Sequence, residues 1–127
     1  MTVIDASVWL DLVTCRLSPE VLPQPPVLVP GHFDAEVLSG LRGLARGGHL
    51  APADVRRRVE GLARAALLRV AVRDLLAEAW PLSQALSAYD ALYVALARRE
   101  DVALLTADAK LARGAAKLCD VRLAGVA

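Results

Sequence analysis

The apolar positions change their period along the chain. Thr2-Val3-Ile4 is a short β-branched run and predicts a strand. Behind it, Val8, Trp9, Leu12 and Val13 fall on one side of a predicted helix over 8–13. Positions 18–26 hold Pro19, Pro23, Pro25 and Pro26 and predict a loop. Val27-Leu28-Val29 predicts a second buried strand, stopped by Pro30-Gly31. From Phe33 to Arg46 the apolar residues Val37, Leu41, Leu44 and Ala45 recur at i, i+4, i+7 and i+8, the stripe of an amphipathic helix. Gly47-Gly48-His49 ends it, and Pro52 suits the first turn of the next helix, over 53–66. There Val55, Val59, Leu62 and Ala66 face inward and Arg56, Arg57, Arg58 and Arg64 outward.

A strand is predicted over 67–72, then a helical stretch over 74–86 that Pro81 should kink or divide. Leu86 to Ala97 is apolar on every side after Asp90, which marks a buried helix. Val102 to Leu105 predicts another buried strand, 109–117 a helix and 119–123 a last strand. Strands alternating with helices, without an internal repeat, predict a single α/β domain over 1–127. Its expected form is three layers, α/β/α, around a mainly parallel sheet whose strands read as continuous apolar runs.

Composition narrows the class. The chain is 56% hydrophobic and 23% charged, which suits a packed globular domain, and with only 4% aromatics its core must be Leu, Val and Ala. A net charge of +1 gives no global signature of a nucleic-acid binder, so any such role rests on local patches. Cys15 and Cys119 form no C-x-x-C pair, which argues against zinc or a disulfide framework and for a reducing cytosol. The first residues lack the basic region of a signal peptide, and Asp5 interrupts their apolar run. No apolar run approaches the roughly 18 residues that span a bilayer. A cytoplasmic protein with no membrane partner is expected.

Four acids sit where chemistry is expected. Asp5 follows the first strand and Asp108 the strand over 102–105, so a parallel sheet puts both at one edge. Ligands bind in α/β sheets outside the carboxyl ends of the strands. Asp90 opens the buried helix, and Glu36 lies early in the helix after the second strand. Each has a plain structural alternative. Asp5 or Ser7 could cap a helix, Ser87 and Asp90 have the S-x-x-D spacing of a capping box, and Glu36 could be a solvated surface acid. Against the last, Gly40, Gly43 and Gly47 line up beneath Glu36 and suggest close approach of another element. Brought together, the acids would repel, since two charges about 4 Å apart cost on the order of 4 kcal/mol at an effective dielectric near 20. A site of oxygen donors with no His or Cys suits Mg²⁺ or Mn²⁺. Such an ion activates water and neutralises charge on a phosphodiester.

Four segments carry a resemblance. They are Val3-Ile4-Asp5-Ala6-Ser7-Val8-Trp9-Leu10, the acid in Ala35-Glu36-Val37-Leu38, Tyr89-Asp90-Ala91-Leu92-Tyr93-Val94-Ala95-Leu96-Ala97, and Leu105-Thr106-Ala107-Asp108-Ala109-Lys110-Leu111-Ala112. In this order, across essentially the whole chain, they resemble the PIN-domain family, and within it the VapC toxins of bacterial type II toxin–antitoxin pairs. The resemblance implies a Mg²⁺-dependent endoribonuclease, with Mn²⁺ able to substitute. Its catalytic set would be Asp5, Glu36, Asp90 and Asp108. Asp5 and Asp90 would be the main metal ligands, with Asp108 completing the site directly or through water. Glu36 would orient the water or bind a second metal, and Ser7 and Thr106 would support the acids by hydrogen bonds. It further implies a homodimer, a cognate VapB-like antitoxin, and a tRNA or rRNA substrate. Pro81 departs from the family pattern.

Other readings compete. An aspartyl phosphatase would resemble D-x-D, but the second acid position is Ser7. A non-catalytic protein-binding module would use its acids only as helix caps. Lys110, Arg113 and Lys117 on one helix face, and Arg42 with Arg46, suit contacts to an RNA backbone. Arg56 to Arg58 read as a solvated face. His32 and His49 read as loop or helix-edge residues, and Trp9 and Trp80 as core or interface anchors.

Overall fold

Among the described residues all five strands are three or four residues long, and all pair in parallel. The computed structural model describes residues 1–125, so the last two residues of the expected domain lie outside the described part. The elements are β1 (Thr2–Ile4), α1 (Ala6–Val13), β2 (Val27–Pro30), α2 (Phe33–Arg46), α3 (Pro52–Arg64), β3 (Leu67–Val70), α4 (Leu76–Leu82), α5 (Ala88–Glu100), β4 (Ala103–Thr106), α6 (Ala109–Ala115) and β5 (Val121–Leu123). Short 3₁₀ turns occupy Pro19–Val21 and Val72–Leu75.

The sheet order is β3-β2-β1-β4-β5. Central β1 pairs Thr2 with Val27 on one side and with Ala103 on the other. The chain moves outward from β1 to β3, then crosses back to β4 and β5. Right-handed crossovers therefore place α1, α2 and α3 on one face and α4, α5 and α6 on the other. The contacts agree: α2 touches both α1 and α3, α4 packs on α5, and α5 lies across β1, β2 and β4. Between β1 and β4 the following helices leave for opposite faces, which opens a crevice outside the carboxyl ends of these strands.

The three-layer α/β/α expectation thus holds, with a wholly parallel sheet. Val3, Ile4, Val27, Leu28 and Val29 are buried, as both covered faces require. In α5, every residue from Ala91 to Ala97 is buried, so the all-round apolar helix does run through the core. Trp9 packs edge-to-face on Phe33, their ring centroids 6.0 Å apart. Arg69 of β3 makes a forked pair with Asp34 of α2, at 2.7 and 3.0 Å.

Several expectations need correction. The strand predicted to Val72 stops at Val70, because its partner β2 ends at Pro30, opposite Val70, and Val72 begins a 3₁₀ turn. The stretch over 74–86 is divided, as Pro81 suggested: α4 ends at Leu82 and the chain turns before α5. Helix α6 ends at Ala115, so Lys117 does not share its face with Lys110 and Arg113. Cys119 precedes β5. Of the glycine row, only Gly40 meets another element: a Cβ there would lie 2.3 Å from Leu10 Cδ1 of α1, whereas Gly43 has nothing within 4 Å and Gly47 meets only the nearby His49 ring and backbone. Arg56 pairs with Glu60 and Arg57 with Asp54, as a solvated helix face would. Among the described residues, no helix is long and apolar enough to cross a membrane.

Candidate active site

Asp5 is the residue on which the crevice closes. It ends β1 in an extended conformation and caps α1, its Oδ1 accepting the Val8 N–H at 3.4 Å. Ser7 Oγ donates to Oδ1 and Thr106 Oγ1 to Oδ2, each at 2.5 Å. Both hydroxyls are themselves held. The Ala107 N–H donates to Ser7 Oγ at 2.8 Å, and the Asp108 N–H donates to Thr106 Oγ1 at 3.0 Å. A hydroxyl can donate once and still accept, so this pair latches the end of β4 to Asp5 with no buried polar atom left over. Asp5 is only 5% exposed. Burial pushes its carboxyl up to about 6, against the lowering effect of its three hydrogen bonds, and the charge of Asp90 adds to the rise.

Asp108 caps α6, accepting the Lys110 and Leu111 N–H groups at 2.9 and 3.3 Å, both on Oδ1. Asp90 lies in the first turn of α5, but Ser87 is the cap, its hydroxyl accepting the Asp90 N–H at 3.1 Å. The S-x-x-D pattern was therefore a real cap, made by its serine. Burial raises the Asp90 carboxyl, and the charges of Asp108 and then Glu36 raise it further, while Ser87 and His32 oppose the shift.

Glu36 lies in the first turn of α2, and its side chain is 34% exposed. It is neither freely solvated nor confined by the glycine row. Tyr93, three residues after Asp90 on α5, donates its hydroxyl to Glu36 Oε1 at 2.6 Å. Burial, and then this bond, push the Tyr93 phenol far up, so it stays a proton donor. His32 Nε2 stands 3.3 Å from the same carboxylate oxygen and 3.1 Å from the Tyr89 carbonyl. Burial lowers the His32 imidazole pKa, against the charges of Glu36 and Asp90.

Each of the four acids thus sits at a helix N-terminus, where the partial positive charge of the helix favours a carboxylate. Asp5, Asp90, Asp108 and Glu36 are linked by each other's fields. They are not packed into one ligand shell, since among the described residues no three of His, Cys, Asp and Glu are grouped closely enough to hold a single ion as they stand. Mg²⁺ needs no such shell, because it commonly takes one or two carboxylates and keeps several waters. The four acids offer only oxygen donors, although His32 stands beside Glu36 where no histidine was expected; two of the carboxyls are held above their usual range by burial and like charge, a penalty that a cation would relieve. The residues present fit a hard divalent ion.

From the sequence, His32 reads as a loop or helix-edge residue and Tyr93 carries no role. The available signals were the i, i+4 spacing of His32 to Glu36 and the i, i+3 spacing of Asp90 to Tyr93, which put each pair on one helix side.

The family model of the PIN domain matches residues 2–117. The chain is 40% identical to "Ribonuclease VapC3" of Mycobacterium tuberculosis over 116 residues, covering 87% of this chain and 85% of that protein. It is 38% identical to "Ribonuclease VapC9" of the same organism over 122 residues, covering 95% and 96%. The crystal structure of Mycobacterium tuberculosis VapC20, described as a toxin that cleaves the sarcin-ricin loop, superposes with a TM-score of 0.64 at 16% identity, covering 89% of this chain and 94% of that one. At that identity the structural likeness speaks for the fold.

Proposed function

The chain belongs to the PIN-domain family and is an endoribonuclease of the VapC toxin type, and from that premise we propose that Asp5, Glu36, Asp90 and Asp108 form its hydrolytic centre. The observation that carries this reading is the placement of four carboxylates at four helix N-termini around one switch-point crevice, with their charges acting on one another. The proposal takes residues 1–127 as one ribonuclease domain.

The ion is Mg²⁺, with Mn²⁺ able to replace it. Asp5 and Asp90 would hold it, with Asp108 completing the site directly or through water. Bound there, it would supply an activated water and neutralise charge on the phosphodiester. The chain's own residues do the rest. Ser7 and Thr106 fix both oxygens of Asp5, so its carboxylate cannot turn away. The buried body of α5 holds Asp90 in place. Glu36, anchored through one oxygen by Tyr93, orients the attacking water or helps bind a second ion. Lys110 and Arg113 on α6, beside Asp108, are placed to contact an RNA backbone, which positions a strand without reading its sequence.

Capping is real at Asp5 and Asp108, yet neither Asp90 nor Glu36 is the capping residue of its helix, so caps alone do not account for the acids. The protein would act in the cytoplasm on tRNA or rRNA, restrained by a cognate VapB-like antitoxin, and as a homodimer. Exposed Trp80 and Leu76 on α4 offer an apolar face to the second copy.

The test is Asp90→Asn. Cleavage of RNA in Mg²⁺ should be lost while the melting temperature is kept or raised, and calorimetry should show weakened Mn²⁺ uptake. Undiminished cleavage by this variant, or no specific uptake by the wild type, would overturn the proposal.

A further inference from the structure

His32 stands inside the acid crevice although it is not one of the acids. Its ring packs against Tyr93, with centroids 4.8 Å apart, and near Tyr89, at 6.1 Å. Its Nε2 faces two oxygens, the Tyr89 carbonyl at 3.1 Å and Glu36 Oε1 at 3.3 Å. A backbone carbonyl can only accept, so the Nε2 that bonds Tyr89 must carry a proton. The other ring nitrogen, Nδ1, is buried and has no partner among the described residues. A neutral ring leaves only an acceptor unpaired there, whereas a charged ring would bury an unpaired donor.

The two oxygens belong to different layers. Glu36 is on α2, and Tyr89 directly precedes Asp90 on α5; these helices cover opposite faces of the sheet. They meet over the strand ends, where Tyr93 also reaches Glu36 Oε1. We propose that His32 is a positioning residue of the nuclease centre, whose Nε2–H, donated to the Tyr89 carbonyl, pins the ring beside Glu36 Oε1 and so fixes how far the Glu36 carboxylate stands from the Asp90 turn. The proposal rests on Glu36 and Asp90 belonging to that centre. Tyr93 donates to Oε1 and the His32 ring stands 3.3 Å from the same oxygen, so Glu36 is held by Oε1 and can turn Oε2 to its task. Groups that orient a metal site from behind typically change activity or metal affinity 10–100-fold when removed.

The experiment compares His32→Phe, which keeps the stacked ring and removes the donor, with His32→Gln, which keeps an N–H donor. Both are measured with Asp90→Asn on a short RNA in saturating Mn²⁺. The expected result for His32→Phe is a fall in kcat of about tenfold or more, an unchanged KM and a melting temperature near the wild type. His32→Gln should recover most of kcat. Calorimetry of the same variants with Mn²⁺ alone should show weaker binding for Phe than for Gln. In the metal-free wild type, ¹⁵N NMR should show a ring protonated at Nε2 and bare at Nδ1. Wild-type kcat in His32→Phe, equal losses in Phe and Gln, or an Nδ1–H tautomer would each overturn the proposal. The tautomer result stands even if the Phe variant fails to fold. Failure of His32 alone leaves Asp90→Asn inactive; failure of the whole site reading leaves Asp90→Asn active.

Discussion

Asp5→Asn should make the metal-free protein more stable at neutral pH. The carboxyl is buried and held at about 6, against an ordinary 3.8, chiefly because burial penalises its charge. A raised acid favours the protonated form in the fold. Its contribution is therefore fully present below the unfolded value of 3.8 and is lost as pH rises through about 6. At about 1.4 kcal/mol for each tenfold change in proton affinity, the loss is about 3 kcal/mol. Asparagine keeps the shape and the cap acceptor of Asp5 and never ionises. Its NH₂ would face Thr106 Oγ1, which must then accept rather than donate, at a cost of about 1 kcal/mol. The variant should thus trail the wild type by about 1 kcal/mol at pH 4 and exceed it by about 2 kcal/mol at pH 8, or roughly 8 °C in Tm at a few degrees per kcal/mol. Thermal unfolding in EDTA at the two pH values measures this. Adding Mg²⁺ or Mn²⁺ at pH 8 should raise the wild type by about 2.7 kcal/mol at a hundredfold excess over Kd, and the variant much less. Parallel stability curves for the two proteins between pH 4 and pH 8 would refute the reasoning, because Asp5 would then carry no raised proton.

Two glycines one turn apart should respond oppositely to alanine. Gly40→Ala drives a methyl to 2.3 Å from Leu10 Cδ1 and should lower stability by about 1 kcal/mol even after the gain in helix propensity, whereas Gly43→Ala meets nothing and should gain up to about 1 kcal/mol. Urea midpoints decide both, and a Gly40→Ala gain equal to that of Gly43→Ala would show that Leu10 can turn aside at no cost. Trp80 is 72% exposed beside Leu76 at 54%, so Trp80→Lys should shift the proposed dimer toward monomer in sedimentation while leaving monomer melting near the wild type; an unaffected dimer would place the second copy on another surface.

Much of the fold was legible because its signals are local. A strand of a parallel sheet is buried on both faces and reads as an apolar run, so β1, β2 and β4 appear directly in the sequence. Cap residues act on N–H groups two or three positions away, so Asp5, Ser87 and Asp108 announce their helix starts. The misjudged ends are those that tertiary position decides. The outward side chains of β3 follow from its place at the sheet edge, and α6 stops before Lys117 although the residues to that point suit a helix. The glycine row failed similarly, since spacing shows which residues share a face but not whether a neighbour covers it.

The sequence by itself determined the alternation of strands and helices, and with it the four acids at strand-to-helix junctions or first helical turns. Those features follow from apolar period and local hydrogen bonding. Only the tertiary structure decided how Asp5 is held, because Thr106 lies 101 positions away and meets it through the pairing of β1 with β4. It also decided that Glu36 is anchored by Tyr93 and that His32 reaches the Tyr89 carbonyl. The Tyr93 contact joins residues 57 positions apart, on helices from opposite faces of the sheet, and no local pattern encodes where two such helices cross.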